Sequence, residues 1–164
     1  MTPAELRRRK GLVLDTNLFL VYVVGLFSPQ LISEFKRTQA YSERDFRVPV
    51  KFFARFQRIT TTPHILTQVT DLLETFNRSW QNRVFPRVRQ VIARFEEQYI
   101  PSLEIATRHL LRFDKFGLAD AVIAKLAAQN HLVLTDDLQL FGYLESLNLP
   151  VVNFNHLRSG YLIN

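Results

Sequence analysis

Short apolar runs alternate along the chain with longer segments whose hydrophobic positions recur at helical spacing. Three of the runs are rich in branched residues: GLVLD at 11–15, HLVLTDD at 131–137 and LPVVNF at 149–154. This composition is typical of strands buried on both faces of a parallel sheet. RITTT at 58–62 is a fourth strand candidate. Because strand patterns alternate with helical patterns, we predict an α/β domain with a central, mostly parallel sheet.

The intervening segments carry helix-start signals as well as helical spacing. Ser28 is predicted to be the N-cap of a helix whose first residue is Pro29. Ser42 and Asp45 match a capping box. Gly117 separates one helical pattern from an alanine-rich one. The predicted helices cover residues 18–27, 28–37, 42–57, 63–77, 80–99, 101–113, 118–130 and 138–147. The pattern before RITTT therefore adds extra helices to the α/β alternation.

Length and composition restrict the number of domains and the kinds of site that the chain can form. The 164 residues are 47% hydrophobic and include 14 Phe, so one substantial core and a single domain over residues 1–164 are predicted. The apolar stretch at 18–27 is too short for a helix to span a bilayer, and no small-residue cleavage site follows it. We therefore expect a cytoplasmic protein with no membrane partner. The chain has no Cys, which excludes disulfides and thiolate metal sites.

The charge of the chain points to a polyanionic partner. The net charge is +6, and the basic residues are spread over several segments, which favours nucleic acid over a membrane surface. Two sets of basic residues recur at helical spacing: Lys51, Arg55 and Arg58, and Arg83, Arg87 and Arg94. Such stripes can follow a phosphate backbone. The alternative is a solvated helix surface.

Acidic residues follow two of the predicted strands, at the edge where ligands collect in parallel sheets. Asp15 ends the first strand, and Asp136 and Asp137 end the strand HLVLT. Asp120 lies in the first turn of the alanine-rich helix, which begins at the same edge if it runs antiparallel to the strands. The topology would then bring these carboxylates together. Structural roles are the alternative, because Asp120 could complement the helix dipole and Asp136 or Asp137 could cap a helix.

Carboxylates gathered in one pocket repel one another unless a cation neutralises them. In a chain without Cys or a paired His motif, the ligands available are oxygens, which select Mg²⁺ or Mn²⁺. Such an ion suits phosphoryl chemistry, because it activates a water and neutralises charge on the phosphate.

Four motifs in this order, LDTN, TTPHILTQVTDLL, LADAVIA and LVLTDD, resemble the PIN domain. That family contains metal-dependent ribonucleases, including many toxins of toxin–antitoxin pairs. The resemblance implies a PIN-like three-layer α/β/α domain with an acidic pocket at one edge of the sheet. It also implies single-stranded or structured RNA as substrate and an antitoxin protein as a candidate partner. We further expect a homodimer.

The resemblance also implies which residues bind the metal and carry out catalysis. The acidic metal ligands match Asp15, Asp120 and either Asp137 or Asp136. Polar neighbours of these ligands are expected at Asn17, Thr16 and Thr135.

One position departs from the family pattern. The second acidic residue, commonly a Glu on the helix after the second strand, is Gln68 here. Glutamine keeps a carbonyl oxygen but lacks the charge, so weaker metal binding is expected; Asp71 could substitute if the helix is rotated. The alternative function is therefore a weakened or inactive PIN-like module that binds RNA or a protein partner.

Two other functions are less favoured by the sequence. A phosphatase with an aspartate nucleophile would need a second Asp where Asn17 stands, and a dinucleotide-binding fold would need a glycine loop that LDTNLF lacks.

Overall fold

The computed structural model describes residues 5–6 and 8–159. The strands within them are β1 (Leu12–Leu14), β2 (Thr60–Thr61), β3 (Glu96–Glu97), β4 (Leu132–Thr135) and β5 (Val151–Asn153). The α-helices are α1 (Thr16–Phe27), α2 (Leu31–Glu34), α3 (Glu43–Phe53), α4 (Pro63–Leu73), α5 (Arg78–Ile92), α6 (Ser102–Thr107), α7 (Phe113–Ala128), α8 (Leu138–Ser146) and α9 (Phe154–Arg158).

Parallel pairing joins β1, β4 and β5 into a central sheet in that order. The register places Leu14 beside Leu134, and Leu134 beside Val152. The strands β2 and β3 form a second parallel pair, which a bridge between Leu12 and Ile59 connects to β1. The predicted α/β class with a mostly parallel sheet is therefore confirmed. Because the strands of the central sheet run parallel, their carboxyl ends share one edge.

The sheet and α1 form the centre of the hydrophobic core. Every residue of β1 and β4 is buried, as expected of strands with branched apolar residues on both faces. The helix α1 is also largely buried, and it packs against α3, α4 and α5. Among residues 5–6 and 8–159, none of the helices combines the length and the apolar character that crossing a membrane requires.

The two predicted helices between residues 28 and 57 are shorter than the sequence pattern indicates. Ser28 does not cap a new helix but ends α1, since its N–H donates to the carbonyl of Val24 at 2.9 Å. The extended backbone of Phe35 ends α2 after one turn and lets its ring stack on Phe76 at 3.6 Å between centroids. The capping box of α3 is confirmed, because the Asp45 carboxylate accepts from the Ser42 N–H at 2.7 Å.

The predictions over 63–77 and 80–99 are correct in element type but wrong at several boundaries. Asn77 is not helical but caps α5, and its side chain accepts from the Trp80 N–H at 3.1 Å. Residues 96 and 97, predicted as helix, form β3 instead. They are exposed glutamates with no apolar alternation, so only their pairing with β2 makes them a strand.

Two backbone irregularities precede the alanine-rich helix. The segment 101–113, predicted as one helix, contains α6 and then a 3₁₀ turn at His109–Leu111. Arg112 follows the turn with φ of 48°. Gly117 interrupts α7 with φ of 75° and ψ of −177°, a region of backbone space that is open essentially to glycine alone. The break predicted at Gly117 is confirmed, and the alanine-rich helix begins after it.

Candidate metal and nuclease site

Asp15 stands where the carboxyl end of β1 leads into α1. Its Oδ1 accepts a hydrogen bond from the Leu18 N–H at 2.8 Å, which makes Asp15 the N-cap of α1. Its Oδ2 accepts from the Thr135 hydroxyl at 2.5 Å and from the Asp136 N–H at 2.9 Å. Asp15 is only 4% exposed. The side chain therefore ties the end of β1 to the end of β4, and it starts α1 earlier than the sequence predicts.

The ionisation of Asp15 is governed by its burial. Desolvation raises its pKa, the nearby charge of Asp136 raises it further, and the three hydrogen bonds lower it, with the result that the pKa rises from 3.8 to about 8. A cation at this edge of the sheet would favour the charged form and lower this pKa.

The Asp136 carboxylate contacts polar side chains from two distant segments. The Tyr41 hydroxyl donates a hydrogen bond to its Oδ2, and the Asn17 side-chain amide donates to its Oδ1 at 3.4 Å. Burial and the hydrogen bond to Asp136 raise the pKa of Tyr41, so the hydroxyl keeps its proton and remains a donor. Asp136 is thus oriented by side chains alone.

A second pair of carboxylates lies beside the first. Asp137 is the N-cap of α8, and its Oδ1 accepts from the Gln139 N–H at 2.7 Å and the Leu140 N–H at 2.9 Å. The Asp137 N–H donates to the Thr135 hydroxyl oxygen at 3.0 Å. Burial, followed by the charge of Asp137, raises the pKa of Asp120 to about 6. Asp120 therefore lies close enough to Asp137 for their charges to interact.

The residues at this edge of the sheet form two linked groups. We call the first the Asp15 cluster, which consists of Asp15, Asn17, Tyr41, Thr135 and Asp136. The second, the Asp120 pair, consists of Asp120 and Asp137. Thr135 joins them, because its hydroxyl donates to the first group and accepts from the second. Side chains from remote parts of the chain thus gather at one edge of the sheet.

Gln68 reaches the same edge from α4. Its Oε1 accepts a hydrogen bond from the Thr16 hydroxyl at 2.5 Å, immediately after β1. Gln68 is exposed and lines an open groove with Asp71 and Ala119, the residue that precedes Asp120. Gln68 therefore contacts the segment that follows β1, whereas the Asp71 side chain forms no hydrogen bond with any residue that the structure describes.

The fit of this site to a metal ion depends on which carboxylates are free. Among the described residues, no group of three or more His, Asp or Glu side chains is placed to hold one ion. Mg²⁺, however, is usually bound by one or two protein carboxylates and keeps several waters. The Asp120 carboxylate accepts no hydrogen bond from the described residues, whereas Asp15 and Asp137 each accept backbone caps. Asp120 together with the neighbouring Asp137 therefore suits a largely hydrated Mg²⁺ or Mn²⁺.

Tyr41 is the member of the Asp15 cluster that sequence analysis does not identify. It lies 95 residues before Asp136, in the segment between α2 and α3. No motif marks this tyrosine as a site residue. Its ring packs near Phe154, at 6.1 Å between ring centroids, and its hydroxyl reaches Asp136.

The predicted basic stripes are not continuous. The helix α3 ends before Arg55 and Arg58, and Arg58 pairs with Glu96 at 3.5 Å. The helix α5 ends before Arg94, and the guanidinium of Arg83 lies over two aromatic rings at 5.1 Å from each centroid. Neither predicted set forms an uninterrupted cationic face.

Comparison with protein-family models, with curated proteins and with solved structures returns no match for this chain. The PIN resemblance consequently depends on the four sequence motifs. Function has to be inferred from the chemistry of the site itself.

Proposed function

We propose that this protein is a Mg²⁺- or Mn²⁺-dependent endoribonuclease that hydrolyses phosphodiester bonds of RNA. One observation carries the proposal: the carboxylate of Asp120 is partly buried next to Asp137 without a hydrogen-bond donor among the described residues, and its pKa is raised to about 6. A carboxylate in that position is stabilised by a cation. The neighbouring Asp15 cluster supplies further negative charge at the same edge of the sheet.

Each group of residues has a separate role in this proposal. Asp120 would hold the ion together with the Asp137 oxygen that does not cap α8, and Asp136 would add negative charge at the same edge. When bound, the ion would activate a water and neutralise the developing charge on the phosphate. Asn17 and Tyr41 orient the Asp136 carboxylate by hydrogen bonds.

Asp15 and Thr135 have a positioning role in the proposed site. Their hydrogen bond fixes the ends of β1 and β4 relative to each other. Because the Asp15 side chain already accepts hydrogen bonds from three donors, we assign it to the geometry of this edge of the sheet.

The proposal includes the finer features that the PIN resemblance implies. These are a three-layer α/β/α arrangement and an antitoxin partner. The expectations from length and composition, which are a single domain over residues 1–164, a cytoplasmic location and no membrane partner, are kept beside them, as is the expected homodimer. The parallel sheet and the acidic residues at its carboxyl edge support this assignment.

The test is metal-dependent cleavage of a labelled RNA by purified variants. Asp120→Asn should reduce Mn²⁺-dependent cleavage to the level of an EDTA control while leaving the far-UV circular dichroism spectrum unchanged. Glu74→Gln is the matched control, because Glu74 is an exposed acidic residue at the end of α4 that does not line the groove beside Gln68 and should be dispensable. Cleavage by Asp120→Asn at the wild-type rate would contradict the proposal.

A second candidate function is an RNA- or protein-binding module that does not cut. Gln68 favours it, because an uncharged side chain occupies the position where the PIN resemblance implies a Glu, and its Oε1 is already engaged by Thr16. Isothermal titration with Mn²⁺ separates the two functions. Retained RNA binding without measurable metal binding would favour the non-cutting module.

A further inference from the structure

A groove with a cationic rim lies between α3 and α9, outside the acidic site. It has a volume of about 340 Å³. Arg44, Arg47, Lys51 and Arg55 line it, and all four are exposed. Three of them recur along α3 at spacings of three and four residues, so they share one face of the helix. In the part of the chain that the structure describes, none of these four cations forms an ion pair.

The floor of the groove is apolar. Val48 and Phe52 of α3 line it from one side, and Val152 and Leu157 line it from the other. Phe52 and Leu157 are buried by the protein and present only small parts of their surface to the groove. A ligand that fills the groove therefore meets hydrophobic surface below and positive charge at the rim.

One acidic residue lines the groove, and it is already neutralised. Asp45 is 2% exposed, and its Oδ2 lies 3.0 Å from Nη2 of Arg158. The same carboxylate accepts the capping hydrogen bond from the Ser42 N–H. The unpaired charge of the groove is thus entirely positive.

Two segments connect the groove with the Asp15 cluster. Tyr41 donates a hydrogen bond to Asp136, and the preceding residue, Ala40, accepts one from Arg158 at 3.1 Å. On the other side, Asn155 at the start of α9 donates to the Asp136 carbonyl at 3.4 Å, and Arg158 lies at the end of the same short helix. The groove and the Asp15 cluster are therefore joined through residues 40–41 and through α9.

We propose that the groove between α3 and α9 binds unpaired RNA next to the cleavage site, with phosphates on the rim cations and a base over the apolar floor. The choice of RNA rests on the proposed nuclease function. An acidic peptide would satisfy the rim but would not account for the link between the groove and the carboxylates. A duplex keeps its bases stacked inside the helix and would contact the rim alone.

The test is fluorescence anisotropy of a labelled single-stranded oligouridylate in EDTA, where no metal-dependent cleavage occurs. Arg47→Ala with Lys51→Ala should weaken binding by about tenfold or more at 0.1 M salt. Each phosphate contact on a single strand contributes about 0.7 to the slope of log binding constant against log salt concentration. Loss of two contacts should therefore make this slope shallower by about 1.4. The matched control is Arg78→Ala with Arg89→Ala, two exposed arginines of α5 that lie outside the groove and outside both predicted basic stripes. The control should bind as the wild type does.

Three other results of this binding experiment would overturn parts of the proposal. Equal weakening by both double variants would overturn the location, and equal binding of a duplex of matched sequence would overturn the requirement for unpaired RNA. Binding of an oligoglutamate peptide without binding of the oligonucleotide would overturn the choice of ligand. Because cleavage is not measured, RNA binding by the groove of a protein that never cuts would refute the nuclease function and leave the binding of unpaired RNA in the groove standing.

Discussion

Replacing Asp15 by Asn tests whether burial governs the charge at the centre of the site. The pKa of Asp15 is raised from 3.8 to about 8, mainly by desolvation and then by the charge of Asp136. Between these two values the folded protein keeps a proton on Asp15 that the unfolded chain has released. The free energy of unfolding of the metal-free protein must therefore fall as the pH rises through this window.

The size of the effect follows from the same shift. A full proton difference changes the free energy of unfolding by about 1.4 kcal/mol per pH unit, so the loss between pH 5 and pH 8 is about 3–4 kcal/mol. The Asp15→Asn variant carries no ionisable group at this position, and this part of the pH dependence should vanish. At pH 5 the variant should be less stable by about 1–3 kcal/mol, because its amide cannot accept from both the Leu18 and the Asp136 N–H groups. The two stability curves should therefore cross between pH 5 and pH 8.

Urea denaturation in EDTA at pH 5, 6, 7 and 8, followed by circular dichroism, measures both curves. Asp114→Asn is the matched control, because the side chain of Asp114 is 79% exposed and its ion pair with Arg112, at 3.8 Å, lies at the surface, where such pairs contribute little to stability. That control should follow the wild-type curve. Parallel curves for the wild type and Asp15→Asn would refute the reasoning, since Asp15 would then ionise alike in the folded and the unfolded chain.

Three further changes test other parts of the structure. Gln68→Glu should tighten Mn²⁺ binding and speed cleavage by adding the missing charge; an unchanged isothermal titration would contradict this. Gly117→Ala should lower the free energy of unfolding by about 1–3 kcal/mol, because its φ of 75° disfavours a side chain. Gly142→Ala is its control in urea denaturation; it should stabilise by about 0.5–1 kcal/mol, since nothing lies within 4 Å of the added Cβ. Tyr41→Phe should cost about 1–2 kcal/mol in the same assay, because Asp136 loses a donor, and an unchanged midpoint would show that this hydrogen bond contributes nothing.

Much of the fold follows from interactions between neighbours in the chain. The branched apolar runs predict β1, β4 and β5, the Ser42–Asp45 capping box predicts the start of α3, and Gly117 predicts the break in α7. Each of these signals is contained within a few residues, so one sequence is enough to detect it. By contrast, β3 exists only because two exposed glutamates pair with β2, and that pairing has no local signature.

The same division holds for the site. The sequence shows that acidic residues follow β1 and β4, because the apolar pattern locates the ends of these strands. Long-range packing decides which carboxylates lie near each other. The register of β1 against β4 places Asp15 beside Asp136. The start of the alanine-rich helix places Asp120 beside Asp137. Burial, which raises the pKa of Asp15 to about 8, is likewise a property of the whole fold, since it depends on the many groups that exclude water from one carboxylate.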